Sequence, residues 1–135
     1  MKSLLVLALS AISATAIAVM PGDRVDDFQL LDHEGNSHQL YYHSDADAIV
    51  IMIHGNGCPI VRQRTPGLER VRDAFADQDV RFFLLNANIQ DDRQSIAAEA
   101  GRYNIDFPIM IDTSQLIAES LGVDRTSEVF VIESR

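Results

Sequence analysis

Between Ala48 and Ile53 the chain reads Ala-Ile-Val-Ile-Met-Ile, a continuous apolar run rich in β-branched residues. A half-solvated strand alternates polar and apolar side chains, whereas a run without alternation is the mark of a strand buried on both faces. The run stops at His54-Gly55-Asn56-Gly57-Cys58-Pro59, where two glycines make a turn and the proline suits the first position of a helix. From Pro59 to Phe75 the apolar residues Ile60, Leu68, Val71 and Phe75 fit a helix whose outer face carries Arg62, Arg64, Glu69, Arg70 and Arg72. Pro66-Gly67 should bend or interrupt it.

The same alternation continues. Val80 to Leu85 is a second buried strand, Asp92 to Tyr103 a helix with Asp91-Asp92 ending the loop and capping it, and Phe107 to Ile111 a short strand. Ser114 to Leu121 is a short helix stopped by Gly122, and Val129 to Ile132 a last strand. Upstream, Phe28 to Leu31 and Ser37 to Tyr41 flank the turn residues 32–36 and form a hairpin. Strands alternating with helices around buried runs specify an α/β sandwich with a mainly parallel centre.

The 135 residues suffice for one domain. Residues 1–18 read as a signal peptide: Lys2, an apolar stretch from Leu4 to Ile12, and small residues ending at Ala18, after which cleavage is expected. The apolar stretch is shorter than the roughly 20 residues a membrane span needs. Export to a periplasmic or extracellular location follows, with no other membrane binding expected; residues 19–26, with Pro21-Gly22, form a lead-in, and 27–135 the domain. The formal net charge is -9 and Lys2 is the only lysine. A surface of that sign repels phosphate backbones, which argues against nucleic acid and leaves small molecules or proteins as partners.

An oxidising compartment usually shows paired cysteines, yet this sequence contains one. An internal disulfide is therefore excluded, and Cys58 is the only candidate for thiol chemistry. At a helix start, unpaired N–H groups and the positive end of the helix dipole stabilise a thiolate, and Arg62 one turn on adds positive charge. The competing reading is a small buried hydrophobe, although a glycine-flanked loop at a strand end is a poor place to bury one. His54 offers a base or, with Cys58, half of a metal site, but two ligands are too few; His33, His38 and His43 read as solvated residues of a turn and strand edge. No metal or other cofactor is implied. No Gly-rich phosphate loop is present, and no Ser-His-Asp order.

The chain resembles the redoxin branch of the thioredoxin-like superfamily, the alkyl hydroperoxide reductase/thiol-specific antioxidant (AhpC/TSA) type of domain. The resemblance is carried by Gly22-Asp23, by Asp27-Phe28-Gln29-Leu30 with Asp32 through Gly35 to Leu40, and by Gly55-Asn56-Gly57-Cys58-Pro59. Phe107-Pro108-Ile109-Met110-Ile111-Asp112 with Ala118 to Gly122, and Thr126 to Ile132, complete it. It implies a thioredoxin-like three-layer sandwich with an N-terminal hairpin. It also implies thiol-dependent oxidoreductase or peroxidase activity at Cys58, in an active-site loop of His54, Gly55, Asn56, Gly57, Pro59, Arg62, Thr126 and Ser127. Arg125 is close to the place of an arginine that polarises peroxide in such domains.

Departures from the family pattern bear on activity. Gly55 stands where a dithiol pair has its attacking cysteine or a peroxidase turn its threonine, so a self-contained dithiol cycle is excluded. Ser127 replaces a proline whose peptide bond is cis in thioredoxins; before serine a cis bond costs about 2.5–4 kcal/mol, so a trans loop is expected. A one-cysteine cycle remains, in which Cys58 thiolate attacks peroxide or another small oxidant and an external thiol or partner protein regenerates it. The alternative is a catalytically degenerate module that binds a partner or serves a larger envelope protein. In this fold a further strand and helix follow the last strand, so the sequence is expected to be a C-terminally truncated piece whose final strand is an uncovered apolar edge.

Overall fold

The computed structural model describes residues 18–133; the expected signal peptide, apart from Ala18, lies outside the described residues. The continuous run becomes β3 (Ala48–His54), at the centre of a four-stranded sheet ordered β5-β4-β3-β6, with β4 Val80–Asn86, β5 Ile109–Ile111 and β6 Val129–Glu133. β4 runs parallel to β3 and β5 parallel to β4, whereas β6 is antiparallel to β3. β1 (Gln29–Leu31) and β2 (Ser37–Gln39) form the expected hairpin, followed by a 3-10 turn at Leu40–His43 where a longer second strand was expected. Three α-helices complete the chain: α1 (Pro59–Ala74), α2 (Arg93–Tyr103) and α3 (Leu116–Leu121).

Two cores explain the unalternating runs. Val50, Met52, Phe82 and Leu84 face α1 and α2, packing on Val61, Leu68, Ile96 and Ala100. Ile49, Ile51, Ile53, Phe83 and Leu85 face the other way, against Leu40, Met110, Leu121 and the partly buried Phe28 and Leu30. Because successive strand residues point to opposite faces, a strand feeding both cores needs apolar side chains throughout.

The turn of the hairpin is closed by Asp32, whose buried carboxylate accepts from the backbone N–H groups of Glu34 and Asn36, from Asn36 Nδ2, and contacts His38 Nε2 at 2.8 Å, while its backbone bridges to Met110 of β5. Burial alone would push this carboxyl up; the bonds from His38, Asn36 and Glu34 outweigh it and hold it below its ordinary value. His33 N donates to Ile109 O, joining the turn to β5.

For α1 the structure shows no interruption at Pro66-Gly67, and it corrects the expected inner face. The helix runs unbroken through Pro66, forgoing only the hydrogen bond that a residue with an N–H would make at that position. Of the four apolar residues expected to face inward only Leu68 does; Ile60, Val71 and Phe75 are exposed, and the buried stripe is Val61, Thr65 and Leu68. Thr65 satisfies its hydroxyl by donating to Val61 O, so a polar residue takes part in the inner face at no cost in unpaired groups. At the other edge, Phe130 and Ile132 of β6 pack inward while Val129 and Val131 are 50% and 65% exposed.

Candidate functional site

All the parallel strands end on one side of the sheet, and Cys58 stands there, between β3 and α1. Cys58 N donates to Gly55 O (3.3 Å), closing a turn in which Gly57 takes φ +71°, a left-handed conformation that favours glycine. Cys58 is the capping residue of α1, with extended backbone and Pro59 as the first helical residue. The helix therefore starts with its free N–H groups beside the sulfur.

The thiol is held below its ordinary pKa. The largest cause is the Thr126 hydroxyl, 3.3 Å from Sγ; the backbone N–H groups of Val61 and Ile60 and the charge of Arg62 add to it, and partial burial opposes them. Arg62 does not touch the sulfur. Its guanidinium donates to Gly57 O (3.1 Å) and Tyr103 Oη (2.8 Å) and lies over the Tyr103 ring, bracing the turn with its charge nearby. Three residues after Cys58, where the first helical turn brings the chain back beneath it, Val61 is 1% exposed.

The facing loop supplies Thr126 and Ser127. Among the described residues no peptide bond is cis; Ser127 takes φ +67°, and its N–H donates to Ile53 O (2.8 Å). A proline could supply neither that φ nor that N–H, so the local geometry accounts for serine here. A Cβ on Gly55 would lie 3.1 Å from Thr126 Cγ2, pressing on the residue that bonds the thiol. Gly55 thus allows Thr126 to approach Cys58. Arg125 is not brought to the thiol: it is 76% exposed and turned to Asp124 (3.4 Å) and Glu128 (3.7 Å).

Beneath the turn lies a polar network that the sequence reading missed. His54 is 2% exposed. Asn86 Oδ1 accepts from Asn88 N, which directs Nδ2 to His54 Nδ1 (3.1 Å) and Asp91 Oδ2 (2.9 Å). His54 Nδ1 is consequently the acceptor, and the proton of the neutral ring sits on Nε2. Burial holds this imidazole below its ordinary pKa, against the opposing carboxylates of Glu99 and Asp91. Asp91 Oδ2 also accepts from Asn56 N (2.9 Å), and Glu99 accepts from Gly57 N with both oxygens (2.9 and 2.7 Å). Among the described residues, the buried side-chain polar atoms without a partner are His54 Nε2, Asn56 Oδ1, Arg62 Nε and Ser127 Oγ. All four belong to this neighbourhood, where the cost of unpaired polar groups is tolerated around one thiol. Among the described residues no three His, Cys, Asp or Glu side chains gather so as to hold a metal ion.

Known proteins share this arrangement of strands and helices. The thioredoxin domain of a thiol-disulfide oxidoreductase from Bacteroides vulgatus superposes with a TM-score of 0.72 at 15% identity, over 84% of this chain and 81% of that one. A hypothetical protein from Sinorhizobium meliloti 1021 gives 0.75 at 26% identity, over 87% of this chain and 67% of that one. The fold is thioredoxin-like, as the sequence implied. In sequence the chain is similar to the thiol-disulfide oxidoreductase ResA of Geobacillus thermodenitrificans, 26% identical over 119 residues, and of Halalkalibacterium halodurans, 26% over 102. These alignments take in 88% and 76% of this chain but only 66% and 56% of the relatives' lengths. The model of the AhpC/TSA family matches residues 21–135, which include the hairpin, the Cys58 turn and the facing Thr126 loop, and the chain belongs to that family.

Proposed function

We propose that the protein is a thiol-dependent oxidoreductase of the one-cysteine kind, acting outside the cytoplasm, with Cys58 as nucleophile. The observation that carries the reading is the placement of Sγ at the start of α1, against the Thr126 hydroxyl and the N–H groups of Ile60 and Val61. Export rests on the pattern of residues 1–18.

These 135 residues hold no second cysteine, so the thiol that regenerates Cys58 comes from outside them. With a peroxide, Cys58 thiolate attacks one oxygen, the O–O bond breaks, an alcohol or water leaves, and sulfenic acid forms on Cys58. One external thiol condenses with it, releasing water and leaving a mixed disulfide; a second attacks that disulfide, frees Cys58 and departs as the oxidised dimer. With a disulfide substrate the mixed disulfide forms directly. Both routes pass through one covalent intermediate between Cys58 and a thiol partner. Arg62 is the cation nearest to this chemistry, in place of Arg125.

Mass spectrometry of the exported protein after hydrogen peroxide, or after a small aromatic disulfide, tests this. A sulfenic acid or mixed disulfide confined to Cys58, reversed by added thiol and absent from Cys58→Ser, is the expected result. No adduct with either oxidant would leave the fold as a partner-binding module.

A further inference from the structure

The turn that carries Cys58 is gripped by one face of α2. Ser95 and Glu99 are four residues apart and so lie along one side of the helix, beside the inward-facing Ile96 and Ala100, and Asp91 immediately precedes the capping Asp92. Each bonds the turn: Asp91 takes Asn56 N (2.9 Å), Ser95 Oγ takes Asn56 Nδ2 (3.1 Å), and Glu99 takes Gly57 N with both oxygens. The contacts cross 35 to 42 residues of sequence. They involve the two residues immediately before Cys58, including the left-handed Gly57 that sets the direction in which the chain enters α1.

We propose that Glu99, helped by Asp91 and Ser95, is a positioning residue for Cys58: it locks the Asn56–Gly57 peptides so that Sγ meets Thr126 and the first N–H groups of α1. The proposal rests on Cys58 being the nucleophile. The grip is made with carboxylates, whose negative charge would raise a nearby thiol's pKa, so a role in geometry and a role in charge predict opposite signs. That opposition makes the idea testable.

The rate of Cys58 alkylation by iodoacetamide is measured against pH in the wild type, Glu99→Ala, Glu99→Gln and Ser95→Ala, with the thermal midpoint of each. Glu99→Ala releases the turn, and its thiolate fraction near neutral pH is expected to fall by roughly 3- to 10-fold, the size of a weakened hydrogen bond to an anion. Glu99→Gln keeps an acceptor for Gly57 N and is expected to restore the wild-type profile. Ser95→Ala changes no charge and is expected to lower the thiolate fraction by a smaller factor. An equal downward pKa shift in both Glu99 variants would mean charge alone and would overturn the proposal. Unchanged profiles, even with a lowered midpoint, would overturn it too. If Glu99→Ala does not fold, Ser95→Ala decides by the same criterion. A wild-type thiol titrating at or above the ordinary value would instead count against the nucleophile itself, while the differences between variants remain readable.

Discussion

Replacing Thr126 by valine removes the largest single cause of the lowered Cys58 pKa while keeping the shape of the side chain. Valine retains a methyl group in the place of Thr126 Cγ2, beside Gly55, so the packing there survives and only the hydroxyl is lost. A hydrogen bond to a charged group is worth about 1.5–3 kcal/mol. The neutral thiol also keeps a weaker bond, and a half-exposed sulfur recovers part of the loss from water, so the difference between the two protonation states is about 1–1.5 kcal/mol. At about 1.4 kcal/mol per unit that is close to one pKa unit, upward, and roughly tenfold less thiolate at a pH below both values. The assay is the alkylation rate of Cys58 from mildly acid to alkaline pH. The curve for Thr126→Val should shift to higher pH, and its alkaline plateau should stay within about threefold of wild type, because nucleophilicity changes only weakly with basicity. An unshifted curve would show that the 3.3 Å contact carries no charge stabilisation of the thiolate.

Three further outcomes are expected. Ser127→Gly relieves a left-handed φ of +67° and removes a buried hydroxyl without a partner, so the midpoint of thermal unfolding should rise, by about 1 kcal/mol in stability, whereas Ser127→Pro should destabilise by about 3 kcal/mol; the opposite order would contradict the loop geometry. Val61→Cys should form a disulfide with Cys58 on mild oxidation, since residues three apart in a helical turn bring their Cα atoms within the roughly 4.4–6.8 Å that a disulfide needs; two thiols still titratable after oxidation would argue against Cys58 as the exposed member of such a pair. Asp32→Asn should cost about 2–3 kcal/mol at neutral pH, measured by denaturant unfolding. Because the folded Asp32 carboxyl lies below its ordinary value, its stabilisation is present above the unfolded pKa and is lost as pH falls through the folded one, so the gap between variant and wild type should close in acid.

Sequence and structure agree where one side chain decides the matter. The runs 48–53 and 80–85 announce strands buried on both faces because each face has its own core. Pro59 after Gly57-Cys58 announces the helix start, and Asp92 caps α2 by accepting Ser95 N at 2.7 Å. The inner face of α1 was misread because hydrophobicity alone does not orient a helix: Ile60, Val71 and Phe75 are as apolar as Val61 and Leu68, and only the position of the sheet selects between them. Arg125 looked well placed by its nearness in sequence to Thr126, yet two carboxylates beside it claim its guanidinium. Asp91 was read, with Asp92, only as ending a loop and capping the next helix, and Ser95 and Glu99 only as part of that helix. Their spacing of four was visible, but nothing local says that such a face meets the backbone of a turn some 35 residues earlier.

Whether Cys58 is a poised nucleophile is decided by titrating the wild-type thiol, as alkylation rate against pH with Cys58→Ser as the blank. An apparent pKa clearly below the ordinary thiol value of about 8.5 is expected. A value at or above that, with no reaction toward peroxide or disulfide, would mean that Cys58 is not one.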